Sequence, residues 1–260
     1  VQLRCAVEAD KAMPSLYARS KDLGFSLVLG GLVGLVGAGV SVAFLKALTF
    51  ANNARVDNGW LIYLLPVAGL VIGLTYHHFG KHVSRGSNLV LEEIHEPSAG
   101  VPRRMAPMVF AATFVSHVFG ASTGREGAGI QITSSIVDGV ARYFSPSLET
   151  RRLLLITAIA AAFGGLFGVP IAGVVFALEF QESGHIRYEA ILSALTASLV
   201  AFYAVESFNL EHLTENELGP IDINGSLVWK LVVLAAVSAV LAMSFVKATH
   251  FVHKTAARFI

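Results

Sequence analysis

Residues 123–131 read TGREGAGIQ, which places an arginine and a glutamate side by side between glycines in a chain that otherwise avoids charge. The sequence has 260 residues, of which 54% are hydrophobic and only 14% are charged. Soluble domains carry about a quarter charged residues, so this composition predicts a protein whose solvent is lipid. In such a setting, Glu126 is either well capped or functional.

The charge balance and the cysteine content exclude several function classes. The formal net charge of +1 leaves no basic surplus for binding nucleic-acid phosphates. Cys5 is the single cysteine, which excludes a disulfide framework and a thiolate metal cluster. The start of the chain has no signal-peptide pattern, and Lys11, Arg19 and Lys21 precede the first apolar run. Their charge predicts a cytoplasmic N-terminus.

The apolar segments change in length along the chain. Runs 23–50 and 60–79 reach the ~20 residues that span a bilayer, and the polar stretch 51–59 predicts a short loop between them. The next segments are short and punctuated by glycines: 87–94, 105–119, 124–143, 150–167 and 170–182. A long helix is then predicted over 187–208. Broken helices at membrane depth are typical of transporter binding sites. The pattern predicts an all-α polytopic membrane protein.

The end of the chain repeats its first long helix. The heptapeptide FLKALTF (44–50) aligns with FVKATHF (245–251), with lysine and aromatic residues in register. A chance match of two apolar helices is the alternative, but transporters are commonly built from two such repeats. The predicted organisation is a cytoplasmic segment 1–22, a first repeat 23–208, a polar linker 209–226 and the first helix of a second repeat, 227–260. We expect this truncated chain alone not to transport.

Two interpretations of TGREG stay open from the residues themselves. Thr123 and Glu126 have the spacing of a capping box, and an acid in the first turn offsets the helix dipole. Alternatively, glycines leave the N–H groups bare at a helix start, which favours an anion. A tethered carboxylate can be that anion, and protonation abolishes its hold on the site. Arg125 is expected to make structural hydrogen bonds.

Two further glycine-led helix starts accompany this motif. In RGSNLV (85–90), Ser87 and Asn88 offer a hydroxyl and an amide, although both residue types also serve as ordinary N-caps. In GVPIAG (168–173), Pro170 suits the first helical position, and its glycines can simply serve packing. Three such starts are what converging helix dipoles on an anion would require.

At these residues the chain resembles the CLC family of chloride channels and anion/proton antiporters. GREGA (124–128) is similar to the family signature GREGP, with Ala128 in place of proline, and Glu126 falls on the gating glutamate. GSNLV (86–90) takes the place of the GSGIP filter motif, keeping Ser87 and replacing a glycine with Asn88. Residues 161–179 resemble a helix pair of the family, and the likeness covers residues 20–260.

Where the chain departs from the chloride proteins, its residues resemble those of the fluoride-exporting CLC-F branch. The stretches NLVLEEIHEPSAGVPRRMAP (88–107) and GREGAGIQI (124–132) resemble that branch more than chloride transporters. The inner proton-relay glutamate of chloride antiporters falls on Phe180, with Glu179 adjacent. Asn88 adds an amide donor, and Ala128 restores a backbone N–H that proline lacks. Dense donors suit strongly hydrated fluoride, whereas Ser87 also fits chloride.

The resemblance implies broken and tilted helices in two inverted repeats, of which this chain holds the first repeat and the first helix of the second. It implies a homodimer in the cell (inner) membrane that exchanges fluoride for protons without a cofactor. A chloride/proton antiporter, a voltage-gated-type chloride channel and a non-transporting fragment are the alternatives. Glu126 is the expected gating and proton-coupling residue. The expected anion-binding residues are Gly86, Ser87, Asn88, Gly124, Arg125, Gly127 and Ala128.

Two other site types are less consistent with the sequence. GREGAG as a phosphate loop lacks a preceding strand and a following GK[ST]. His77, His78 and His82 lack a neighbouring carboxylate or thiolate that would complete a metal site. We therefore expect no metal and no catalytic residue.

Overall fold

The computed structural model describes residues 16–98, 100–180, 188–208 and 224–256. Within these ranges the chain forms helices and turns without a β-strand, which confirms the all-α prediction. The α-helices are α1 (Leu16–Asp57), α2 (Leu65–Phe79), α3 (Ser87–His95), α4 (Met105–Val118), α5 (Glu126–Ala141), α6 (Leu148–Phe167), α7 (Pro170–Glu179), α8 (Ile191–Glu206) and α9 (Gly225–Ala256). Short 3-10 helices cover Gly59–Leu64, Arg142–Phe144 and Tyr188–Ala190.

Two long apolar segments precede a series of mostly shorter helices, as the sequence predicted. Among the described residues, four segments are long and apolar enough to cross a membrane: Leu23–Asp57, Gly59–Phe79, Leu148–Phe167 and Gly225–Val252. Helices α3 and α7 have 9 and 10 residues. At 1.5 Å per residue they are far shorter than a hydrocarbon core of about 30 Å. Neither helix can therefore span the hydrocarbon core by itself.

Helix α6 packs against α1, α5, α7 and α8 within the compact unit Val1–Leu213. Its side chains are mostly buried, and small residues let neighbouring backbones approach closely. A Cβ atom at Gly164 would lie 2.4 Å from the backbone oxygen of Ser198 in α8. At Gly34 in α1, a Cβ would lie 2.7 Å from the backbone oxygen of Ala197. Close contact of small residues is how membrane helices gain packing energy without a hydrophobic driving force.

Helix α9 belongs to a second compact unit, Thr214–Ile260. It begins at Gly225, inside the predicted linker 209–226, because the Asn224 side chain accepts a hydrogen bond from the N–H of Leu227 at 2.9 Å. Residues 209–223 of that linker lie outside the described ranges. The predicted repeat and domain boundaries stay predictions.

The predicted loop 51–59 is wrong. Helix α1 continues to Asp57, with Ala51 fully buried and the Asn58 side chain donating to the carbonyl of Ala54 at 3.0 Å. Of residues 51–57, Ala51 alone is buried, and the polar side chains Asn52, Asn53 and Asp57 are exposed on a helix that continues past the apolar run. The second apolar run is split at Pro66, in the first turn of α2, because proline lacks the N–H that a continuous helix needs.

Candidate functional site

Helix α3 begins at Ser87, directly after Gly86 with φ 59° and ψ −137°. This backbone conformation is strained for residues with a Cβ, so glycine is favoured there. No side chain caps the helix, and the interpretation of this stretch as an ordinary Ser or Asn cap is therefore wrong. The side chain of Asn88 is exposed, and its amide is not used for capping.

Helix α5 begins at Glu126, with Arg125 at the N-cap position. The Oε2 atom of Glu126 accepts a hydrogen bond from the backbone N–H of Arg125 at 3.1 Å. The hydroxyl of Thr123 lies 3.3 Å from Nδ1 of His117 instead. The predicted capping box between Thr123 and Glu126 is wrong, because the chain enters the helix later than that motif requires.

The first turn of α5 leaves backbone donors without helix partners. Its first backbone hydrogen bond runs from the N–H of Gly129 to the carbonyl of Arg125 at 2.9 Å. The N–H groups of Glu126, Gly127 and Ala128 therefore have no carbonyl one turn earlier to bond. Such a terminus favours negative charge, and the Glu126 carboxylate folds back towards it. This geometry suits a carboxylate that occupies an anion position and can leave it.

One hydrogen bond joins the starts of α3 and α5. The Nε2 atom of Gln131 on α5 donates to the Oγ atom of Ser87 on α3 at 3.1 Å. A Cβ atom at Gly127 would lie 3.4 Å from the Ser87 oxygen, and one at Gly86 would lie 3.5 Å from the Gln131 nitrogen. The two glycine-led starts therefore meet at the Ser87–Gln131 pair.

The other predicted site residues differ in their environments. Ala128 is buried, whereas Gly124 is exposed, and a Cβ at Gly124 would lie 3.1 Å from Oε2 of Glu126. Arg125 is half-buried, and its guanidinium makes no hydrogen bond or ion pair with residues in the described ranges. The structural hydrogen bonds expected of Arg125 are not found there. Its positive charge lies beside Glu126 in the sequence, where it can attract an anion.

The third glycine-led start serves packing. Pro170 takes the first helical position of α7, as predicted. Its carbonyl accepts a hydrogen bond from the Ser198 hydroxyl of α8 at 3.0 Å. A Cβ atom at Gly173 would lie 2.8 Å from the Cβ of Phe163 in α6. The structure thus joins two of the three predicted helix starts by a hydrogen bond, and it ties the third to α6 and α8.

A buried ion cluster, which sequence analysis missed, lies towards the opposite ends of the same two helices. Arg151 on α6 donates from Nε to Oδ1 of Asp138 on α5 at 2.6 Å, and from Nη2 to Oε2 of Glu93 on α3 at 2.9 Å. All three side chains are buried. These three residues, the Arg151 cluster, tie α3 to α5 away from Ser87 and Glu126.

The segment between α3 and α4 completes the Arg151 cluster. Glu93 accepts hydrogen bonds from the N–H and hydroxyl of Ser98 at 3.0 and 2.9 Å, and from the N–H of Gly100 at 2.9 Å. The N–H of Val101 donates to the aspartate of the cluster at 2.8 Å. Burial alone would raise the pKa of Glu93, but these donors and Arg151 outweigh it and lower the pKa. These contacts therefore favour the ionised form of Glu93.

With this geometry established, comparisons with known proteins identify the family. A family model described as voltage gated chloride channel matches residues 68–260. The chain belongs to this family, the CLC proteins. Its membership confirms the CLC-like, multi-pass membrane fold, and CLC proteins are ion channels and transporters.

Individual relatives of this CLC chain include proteins named for both halides. A chloride/fluoride channel protein of Pseudomonas syringae pv. tomato (strain ATCC BAA-871 / DC3000) is 38% identical over 229 residues, which cover 86% of this chain and 50% of that protein. The H(+)/Cl(-) exchange transporter ClcA of Citrobacter koseri is 28% identical over 214 residues, which cover 75% and 45%. The chain spans about half the length of these curated relatives.

A solved structure is also similar to this CLC chain. The crystal structure of a CLC-type fluoride/proton antiporter matches with a TM-score of 0.71 and 28% sequence identity. The match covers 86% of this chain and 56% of that one. The fold predicted from the resemblance is confirmed by this match.

The remaining site types find little support in the CLC chain. GREGAG follows helix α4 and a turn rather than a strand, unlike a phosphate loop. No group of three or more His, Cys, Asp or Glu residues that could hold a metal ion occurs among the described residues. The ring of Phe180 lies 5.4 Å from that of Phe176, whereas Glu179 is exposed. An apolar contact thus occupies the position onto which the resemblance would place the chloride antiporters' inner glutamate.

Two functional features escaped the sequence analysis for different reasons. Gln131 was noticed only as part of a family motif, and its contact with Ser87 spans 44 residues of sequence. Asp138 carried a usable signal, since a lone acid in an otherwise apolar helix needs a partner. Its partner Arg151 lies on another helix, so the sequence did not indicate which cation it was.

Proposed function

We propose that this CLC protein exports fluoride across the cell (inner) membrane in exchange for protons. The observation that carries the proposal is the junction of two donor-rich helix starts at the Ser87–Gln131 pair, on the helix that begins with Glu126. The names of two similar proteins, a chloride/fluoride channel protein and a fluoride/proton antiporter, support the same class of anion.

Donor density favours fluoride. A small, strongly hydrated anion gives up its water only where hydrogen-bond donors replace it closely. Around the junction, Ser87 offers a hydroxyl, Asn88 an exposed amide, and Gly127 and Ala128 backbone N–H groups. A chloride site accepts a looser and more apolar cage.

Glu126 couples the anion to protons. When ionised, its carboxylate competes with the mobile anion for the positive start of α5. When protonated, it is neutral and loses that attraction, so an anion can take its place. Proton binding and anion binding at this helix start therefore depend on each other, which is what exchange requires.

The proposal also covers how the protein lies in the membrane and how it assembles. The long apolar segments Leu23–Asp57, Gly59–Phe79 and Gly225–Val252 contact lipid, whereas Leu148–Phe167 is mostly buried inside the protein. The N-terminus lies in the cytoplasm, and two copies form a homodimer with one anion pathway each. Neither a cofactor nor nucleic acid takes part. Fluoride, or else chloride, and protons are the transported species.

Chloride/proton antiport or a voltage-gated-type chloride channel is the second candidate. Ser87 favours chloride as the anion, because the chain shares this serine with the chloride filter motif. The 28% identity to the H(+)/Cl(-) exchange transporter ClcA of Citrobacter koseri points the same way. The identity to the chloride/fluoride channel protein is higher, at 38%.

Halide release from liposomes tests the proposal. Liposomes with the complete protein are loaded with potassium fluoride or potassium chloride at equal concentration, and a potassium ionophore starts release. Ion-selective electrodes follow the halide, and the external pH reports protons. We expect fluoride to leave about tenfold faster or more, with protons moving inwards, and Asn88→Gly to reduce that preference. Equal rates for the two halides would contradict the fluoride assignment.

A further inference from the structure

The direction of the hydrogen bond between Gln131 and Ser87 decides what the Ser87 hydroxyl can still do. Because Nε2 of Gln131 donates to Oγ of Ser87 at 3.1 Å, the serine oxygen acts as the acceptor in this bond. A hydroxyl group has two acceptor lone pairs but only one proton. Gln131 therefore occupies a lone pair and leaves the proton of Ser87 unused. No acceptor for that proton occurs within the described ranges.

The amide of Gln131 lies close to both helix starts. Its Nε2 atom would be 3.5 Å from a Cβ atom built at Gly86 and 3.5 Å from one built at Gly127. The side chain is half-buried. The reverse amide orientation would bring the carbonyl oxygen to Ser87 and consume the hydroxyl proton. The orientation of one amide thus decides whether Ser87 donates or not.

We propose that Gln131 is a positioning residue for halide selection: by donating to Ser87, it keeps the hydroxyl proton available to the anion and favours fluoride over chloride. This inference rests on the proposed function and adds a residue to its site. A directed donor gains more from the smaller halide, because electrostatic attraction rises as the distance between the charges falls.

Halide binding and halide release, measured on the complete protein, test this role together. Gln131→Met removes the donor while keeping side-chain length. Gln131→Glu keeps the shape but turns the group into an acceptor that takes the Ser87 proton. We expect fluoride binding by calorimetry to weaken about tenfold in Gln131→Met, equivalent to ~1.4 kcal/mol, and further in Gln131→Glu. Chloride binding should change little, so the fluoride-to-chloride release ratio falls in parallel.

A double-mutant cycle separates positioning from general damage to the helix. In the Ser87→Ala background, Gln131→Met should change fluoride binding by less than about twofold, because its effect acts through that hydroxyl. Ser134→Ala is the matched control on α5, since the Ser134 hydroxyl is buried without a partner among the described residues. It should leave the halide ratio unchanged.

The outcomes distinguish this inference from the proposed function. Equal fluoride affinity in the wild type and both Gln131 variants would overturn the inference, as would the same loss with and without Ser87. A wild-type protein that binds fluoride but releases none would contradict the transport function, and the binding cycle would still decide the role of Gln131. A wild type that binds no fluoride would overturn both.

Discussion

Helix α5 carries a carboxylate near each end, and its two ends are built in opposite ways. Asp138 is fully buried and accepts hydrogen bonds from Arg151 and from the backbone of Val101. Glu126 is exposed and accepts only the N–H of Arg125, its own neighbour, in the part of the chain that the structure describes. Asp138 is thus held by several hydrogen bonds and an ion pair, whereas the carboxylate of Glu126 is free to move.

The difference shows how two carboxylates on one helix can serve different purposes. A carboxylate with several fixed donors is held in one place, so the Arg151 cluster fixes α3 relative to α5. A carboxylate with a single local donor can be displaced by an anion or neutralised by a proton. The Arg151 cluster keeps the starts of α3 and α5 in place relative to each other. Glu126, at the other end of α5, can then change its position or its protonation state without disturbing the fold.

Removal of the Arg151 side-chain charge tests the structural role of the Arg151 cluster. Arg151→Gln removes the cation beside the buried Glu93 and the nearer cation of Asp138, which keeps the ion pair with Arg142 at 3.4 Å. We therefore expect the free energy of unfolding to fall by about 3–5 kcal/mol. Thermal unfolding in detergent measures the loss. The matched control is Arg85→Gln, which removes an exposed ion pair with Glu92, the neighbour of Glu93 on α3, and should cost about 0–1 kcal/mol. Similar losses in both variants would contradict the structural role of the cluster.

Neutralisation of Glu126 tests the start of α5, where this carboxylate is the proposed gate. Glu126→Gln should leave the free energy of unfolding within about 0.5 kcal/mol of the wild type, because the side chain is exposed and makes one local hydrogen bond. Proton movement that accompanies halide release from liposomes should disappear, since glutamine cannot ionise. A variant that retains full proton coupling and unchanged pH dependence would exclude Glu126 as the gate.

The smallest expected effect concerns Thr123. Because its hydroxyl does not cap α5, Thr123→Ala should change the free energy of unfolding by less than about 0.5 kcal/mol. Ser147→Ala is the control, since the Ser147 hydroxyl caps α6 by accepting the N–H of Thr150 at 3.2 Å, and it should cost about 1 kcal/mol. Equal losses in the two variants would restore the capping box at the start of α5.

The sequence predicted the helical membrane fold because long apolar runs and glycine-led short helices leave few alternatives in lipid. It also placed Gly86, Ser87, Glu126 and Gly127 at helix starts, since these depend on local chain chemistry. Local rules failed where packing intervened. Helix α1 continued through the polar residues 51–57, where Ala51 is buried and the polar side chains are exposed. Thr123 had the spacing of a cap, yet the helix began later.

The sequence by itself determined the class of the protein, its short helices and the charged residue at the start of α5, because composition and periodicity are properties of neighbouring residues. Only the tertiary structure decided which partners meet. Gln131 reaches Ser87, and Arg151 joins Glu93 to Asp138, across separations of 44, 58 and 13 residues. Such contacts depend on how helices cross, and helix crossing is set by close packing of small residues throughout the fold rather than by any one motif.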